Sequence, residues 1–250
     1  MNLMEQPIPH ALKRTHRWAL ILAVGAFAVT AVVALGVGSA GAAKVKVLGA
    51  GPPATPACPN NCTVEAKVTG FQTAIGNSKK PFMVGAPGKI VAWSIKLGSL
   101  KKKDVDFFNG SFGGASRARL AILRPVKGKN LTFELKAQSP VESLRPFFGS
   151  TTTFALDRPL KVKKRDVAAL TVVSWAPMFA ANLGSSNTWR ASRKATKSRG
   201  PCSFPASDGG GANIKSGSPQ QGLNKSRFYG CQYAGNRLLY SASLVRSGGG

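Results

Sequence analysis

Beyond Cys62 the chain alternates apolar and polar residues with a period of two. Val64, Ala66 and Val68 interleave with Glu65, Lys67 and Thr69. Val91, Trp93, Ile95 and Leu97 share one face of Lys89–Leu97, and Leu131, Phe133 and Leu135 oppose Thr132, Glu134 and Lys136. Alternation of this kind predicts strands with one buried face. Arg119–Val126, Thr151–Leu156 and Arg237–Val245 read as further strands. Val167–Val173 is apolar on both faces, which predicts a central strand. Turn-forming clusters separate these runs: Gly76-Asn-Ser78, Gly85-Ala-Pro-Gly88, Asn109-Gly110, Lys127-Gly-Lys-Asn130 and Lys163-Lys-Arg-Asp166. No stretch of helical length after residue 42 shows a 3.6-residue period. About eight short strands at this spacing predict an all-β fold, an antiparallel β-sandwich or jelly roll.

The first 42 residues follow a different pattern. From Trp18 to Ala43 there is no charge, and Trp18–Leu35 is apolar apart from Thr30. Lys13, Arg14 and Arg17 precede this run, and Ala40-Gly41-Ala42 ends it with small residues, predicting cleavage at Ala42/Ala43. The run is longer than a usual signal-peptide core of about 7–15 residues and nears the ~20 that span a bilayer. Residues 1–42 are therefore read as a signal peptide or an N-terminal membrane anchor. Both place the remainder outside the cytoplasm, secreted or tethered by that segment. Residues 43–62 read as a Pro/Gly-rich linker, and 63–250 as a single β-sandwich domain.

Four cysteines suit an oxidising compartment. Of three possible pairings, Cys58–Cys62 and Cys202–Cys231 is the expected one, the first across a Pro-Asn-Asn turn. The second would staple residues 176–236, a Gly/Ser-rich excursion before the last strand. A loop of this length is commonly functional. It carries Arg190, Arg193, Lys194, Lys197 and Arg199 close to Trp189, with Tyr229 and Tyr233 further on. Cations beside aromatic faces suit sugars and anionic polymers, so these eight residues form the candidate binding set. The alternative at each ring is that it covers the core.

Charge and histidine content narrow the chemistry. Lys and Arg number 35 against 9 acids, a formal charge of +26. Removing residues 1–42 takes away only Lys13, Arg14, Arg17 and Glu5, so the excess belongs to the exported part. It favours anionic partners, with an acidic polysaccharide or wall polymer preferred to nucleic acid. Both histidines, His10 and His16, lie in the first segment. The exported part therefore has no Ser-His-Asp or Cys-His catalysis and no His-ligated metal. There is no G-x-S-x-G, H-E-x-x-H, Walker A or G-x-G-x-x-G motif, and no cofactor or metal site is expected. Asp104-Val-Asp106 lacks the spacing of a calcium loop. Ser99–Lys102 matches S-x-x-K without its companion motifs. Glu134 and Glu142 are the best carboxylate pair for a glycan-active enzyme, the alternative to a non-enzymatic binding module. A purely structural envelope protein is the third reading.

Gly88-Lys-Ile-Val-Ala-Trp93 and Leu160-Lys-Val-Lys-Lys-Arg-Asp-Val-Ala-Ala-Leu170 resemble a strand start and a hairpin of uncharacterised bacterial secreted β-sandwich proteins. In those, a V-x-x-G-D turn leads into a central strand; here Arg165 stands in the glycine's place. The resemblance spans residues 63–175 and 237–246. It implies a fold and carries no activity.

Overall fold

A computed structural model describes residues 45–192 and 219–247. The chain forms β1 (Val45–Leu48), β2 (Glu65–Ile75), β3 (Ser78–Lys79), β4 (Gly88–Lys96), helix α1 (Lys102–Phe112), β5 (Arg117–Pro125), β6 (Thr132–Gln138) and β7 (Glu142–Ser143). A short 3-10 turn at Arg145–Phe147 leads to β8 (Thr151–Val162), β9 (Val167–Ala176), β10 (Phe179–Ala180) and β11 (Thr188–Ala191). The last elements are β12 (Ser226–Phe228), β13 (Cys231–Ala234), β14 (Arg237–Leu238) and β15 (Tyr240–Arg246).

The strands pair antiparallel throughout the described residues, in two main sheets. One has the order β1-β15-β4-β8; the other runs β12-β6-β5-β9-β2-β11-β13, with β3 against β2 and β7 against β5. β10 and β14 form a small separate pair. The all-β antiparallel expectation holds, and β9 is central, buried at nine of its ten positions between β5 and β2. The larger sheet departs from a flat sandwich leaf because it curls. Its terminal strands β12 and β13 are separated in the chain only by Tyr229 and Gly230. Six inter-strand steps would span about 29 Å if flat, whereas two intervening residues reach only about 11 Å. Ring contacts across the concave side agree: Phe71 of β2 and Phe133 of β6 are three strand steps apart, yet their centroids lie 5.2 Å from each other. The sheet is a half-barrel.

Residues of both sheets share one core, including Ile90, Trp93 and Ile95 of β4, Leu120 and Ile122 of β5, and Leu170 and Val172 of β9. Phe82 stacks on Tyr240 at 4.2 Å. At Gly70 of β2 an added Cβ would lie 2.9 Å from the Trp189 ring, so the close approach of that buried indole requires glycine.

Two expectations change. α1 forms where no helix was expected and carries Asn109-Gly110, read from the sequence as a turn. Val105, Phe108 and Phe112 form its buried stripe and pack with Trp175, whose indole N–H donates to Asn109 Oδ1 at 3.1 Å and the Gly114 carbonyl at 2.9 Å. Gly113, at φ 80°, ends the helix in the left-handed conformation that glycine adopts without strain. Residues 45–62 are not a free linker. β1 pairs with β15, Arg237 and Lys96 donate to the carbonyls of Pro52 and Ala54 at 2.7 and 2.8 Å, and Cys58–Cys62 is a disulfide. Among the described residues no helix is long and apolar enough to cross a membrane. Residues 1–42 and the Ala42/Ala43 cleavage site lie outside them.

Candidate functional site

The aromatic members of the candidate set are core residues. Trp189 is fully buried and stacks on Tyr233 at 4.6 Å, with Phe179 edge-on. Tyr229 is also fully buried between Phe71 and Phe133, and its hydroxyl donates to Gln220 Oε1 at 2.6 Å. Burial pushes the Tyr229 phenol well above its ordinary range. Tyr233 is 7% exposed. None of the three offers an open face to a sugar ring. Arg190 is half-buried; its Nη1 donates to the carbonyls of Tyr229 and Gly230 at 3.2 and 3.3 Å, and desolvation lowers its pKa. Arg193, Lys194, Lys197, Arg199 and Cys202 lie outside the described residues. Cys231 is buried and is not a free thiol.

The carboxylates do not form a glycosidase pair. Register places Glu134 opposite Arg124 and Glu142 opposite Ala118 on β5. Six residues along a strand are about 20 Å, well beyond the ~9.5 Å upper limit for an inverting pair. Glu134 is bonded to Lys136 at 3.0 Å. Lys102 of the S-x-x-K match is bonded to Asp106 at 2.6 Å, and both Asp104 and Asp106 sit on α1 rather than in a cation-binding loop. No group of three or more His, Cys, Asp or Glu able to hold a metal occurs among the described residues.

A different surface gathers binding chemistry: the outward face of the β1-β15-β4-β8 sheet. Its inward face carries Ile90, Trp93, Ile95, Ala242 and Leu244, all buried. The alternate positions face away from that core and are half-buried or exposed. Register aligns them in rows. Val245 of β15, Lys89 of β4 and Lys161 of β8 are direct neighbours, as are Ser241, Ser94 and Thr153. The Ser94 and Thr153 hydroxyls bond at 2.7 Å. Lys89 and Lys161 are both exposed and directly opposed, an arrangement that costs a sheet about 0.2–1 kcal/mol. The β8–β9 turn adds exposed Lys163 and Lys164, and β15 ends in exposed Arg246. Beside the hydroxyl row lies a depression of about 200 Å³ lined by Ser94, Ser241, Lys96, Thr151, Arg237 and the Pro52–Ala54 wall. Burial lowers the Arg237 guanidinium pKa.

One acid, Asp157 of β8, is exposed on this sheet beside the cations. Glu65 and Asp166 are buried. Asp106 and Asp157 are the exposed carboxylates among the described residues, and Asp106 is already bonded to Lys102. Asp166 instead organises the cationic turn from beneath: it accepts from Arg124 Nε at 2.7 Å, Arg124 Nη2 at 2.8 Å and the Lys163 amide at 2.8 Å. Arg165 holds φ 74°, the left-handed conformation that favours glycine.

No protein family, curated protein or solved structure matches this chain.

Proposed function

We propose that the protein is a non-enzymatic binding module, exported from the cytoplasm, whose ligand is an acidic wall polymer or extracellular polysaccharide. The observation that carries this reading is the opposed Lys89–Lys161 pair on the outward face of the four-stranded sheet, beside a row of hydroxyls and a shallow depression. Like charges set side by side oppose folding, and a polyanion laid across the strands relieves that repulsion. Hydroxyls and cations on an extended flat face suit a chain of sugar units bearing carboxylates or phosphates. In this reading the two sheets are the leaves of a β-sandwich of jelly-roll type, and the smaller leaf presents the polymer face. Export is supported by the basic and apolar first segment and by the Cys58–Cys62 disulfide.

The test is retention of the purified protein on immobilised acidic polysaccharide and on purified cell wall at graded salt. Retention strongest at low salt and lost as salt rises is the expected result, because exposed charges are screened within about 8 Å at physiological ionic strength. No retention at low salt on any anionic polymer overturns the proposal.

A further inference from the structure

The concave side of the curled sheet holds a second feature, on different strands from the proposed polymer face. At one mouth of the half-barrel lies a cavity of about 450 Å³. Its wall is mainly apolar: Phe71, Met83, Pro125, Leu131, Phe133 and Val167. Three cations also line it, Lys79, Lys80 and Arg190. No carboxylate lines it.

The sequence builds this mouth from several elements. Phe71 comes from β2, Phe133 from β6 and Val167 from the first position of β9, so the curl that brings β6 towards β2 also encloses the space. Lys79 belongs to β3, paired on the outer part of β2. Lys80 follows at φ 52°; its amide donates to the Thr73 carbonyl at 2.8 Å, which fixes the backbone that carries it. Met83 bridges to Val167, tying the loop after β3 across the cavity. Curled antiparallel sheets of about eight strands enclose space for one small ligand.

We propose that this cavity binds a single-chain anionic amphiphile, its alkyl or isoprenoid chain among Phe71, Met83, Leu131, Phe133 and Val167 and its carboxylate or phosphate head at Lys79, Lys80 and Arg190. Charge complementarity selects the head, since three cations and no acid line the cavity. The lining selects the body: a sugar would leave its hydroxyls facing aliphatic and phenyl carbon, losing hydrogen bonds to water without replacement. The volume falls within the ~300–1,000 Å³ of ordinary ligand pockets, most of which are apolar with a few placed polar groups. Desolvation already lowers the pKa of Arg190, and an anion beside it restores the charge compensation that water supplied.

Calorimetric titration of the purified protein tests this with octanoate, decanoate, dodecanoate, dodecyl phosphate, dodecanol and acetate, each kept below its micelle concentration. Dodecanoate and dodecyl phosphate are expected to bind, and the tighter of the two identifies the head. Between octanoate and dodecanoate affinity should rise about tenfold for each two carbons added, following ~0.8 kcal/mol per buried methylene. Dodecanol should bind at least tenfold more weakly than dodecanoate. Lys79→Glu/Lys80→Glu, both on the surface, should weaken dodecanoate at least tenfold and leave polymer retention unchanged. Met83→Trp, which fills the apolar part, should abolish the dependence on chain length. Dodecanoate binding no tighter than acetate, or binding unaffected by the Lys79/Lys80 reversal, overturns the proposal. Neither result bears on the polymer face, whose residues lie on the other sheet.

Discussion

Asp166 offers the sharpest test of how the cationic turn is held. Its side chain is 1% exposed and accepts three hydrogen bonds, two of them from the Arg124 guanidinium. Its backbone ties the same turn to the segment after β3, with the Val84 amide donating to the Asp166 carbonyl at 2.8 Å. In Asp166→Ala the backbone bonds survive, while the Lys163 amide and the guanidinium lose their acceptor. Hydrogen bonds to charged groups contribute about 1.5–3 kcal/mol each, so the two from Arg124 and the one from the Lys163 amide set a ceiling of about 9 kcal/mol. Arg124 is 30% exposed, and Glu134 opposite it on β6 gives the freed guanidinium a second anion. Water and Glu134 recover part of the loss, which leaves about 2–4 kcal/mol. Urea unfolding with the disulfides intact should show the midpoint falling by about 1–2 M at constant slope. Arg124→Met should cost at least as much, since it leaves a carboxylate buried without its cation. The double variant should lose less than the two single losses combined, with a coupling of about 1–3 kcal/mol. A midpoint shift under about 0.3 M, or strictly additive losses, would refute the claim that this pair anchors the turn.

Two further outcomes follow from backbone strain and buried phenols. Arg165→Gly should stabilise by about 1 kcal/mol, because relief of left-handed strain at φ 74° exceeds the added unfolded-state entropy; a lower urea midpoint would contradict it. Tyr229 and Tyr240 are buried, with phenol pKa values pushed up by desolvation. The folded state keeps both protons where the unfolded chain loses them near pH 10. Stability from these groups is therefore intact below about pH 10 and falls above it by about 1.4 kcal/mol per pH unit for each ring. In an alkaline titration their phenolate absorbance should appear together with unfolding, and ordinary titration near pH 10 with the circular dichroism unchanged would count against it.

Much of the β structure was legible as period-two alternation, because strands with one face on the core must repeat every second residue. Val167–Val173, apolar on both faces, does run through the middle of the larger sheet. The helix escaped notice for a local reason. Val105, Phe108 and Phe112 are only three positions, and the helix starts without a capping side chain, with Lys102 and Lys103 in a first turn whose dipole disfavours cations. The four-residue strands β1, β11 and β13 are too short to show a period. They lie among Gly, Ser and Pro, and only the pairing of β1 with β15, β11 with β2 and β13 with β11 makes them strands.

The sites were less legible than the fold. Trp189 beside Arg190 looks the same in sequence whether the indole faces solvent or core, and here it lies over Gly70 in the core. Of the eight candidate residues, Arg190 lines the apolar cavity of the larger sheet. The Lys89–Lys161 opposition depends on a register between residues more than 70 positions apart in the chain, and the lining of the cavity depends on how far the larger sheet curls. Neither is encoded in local spacing. A residue pattern shows which side chains face outwards, but not which of them become neighbours.

The most direct measurement compares Lys89→Gln/Lys161→Gln with Lys127→Gln/Lys129→Gln, which removes equal charge from the exposed loop between β5 and β6. Both are assayed for retention on acidic polysaccharide at graded salt, together with their urea midpoints. The outward-face variant should lose retention at salt concentrations that the wild type and the loop variant tolerate. It should also be as stable as the wild type or more so, by up to about 1 kcal/mol, because a like-charge pair has been removed. Equal retention by the two variants would contradict the account, since net charge rather than the outward face of the four-stranded sheet would then govern binding.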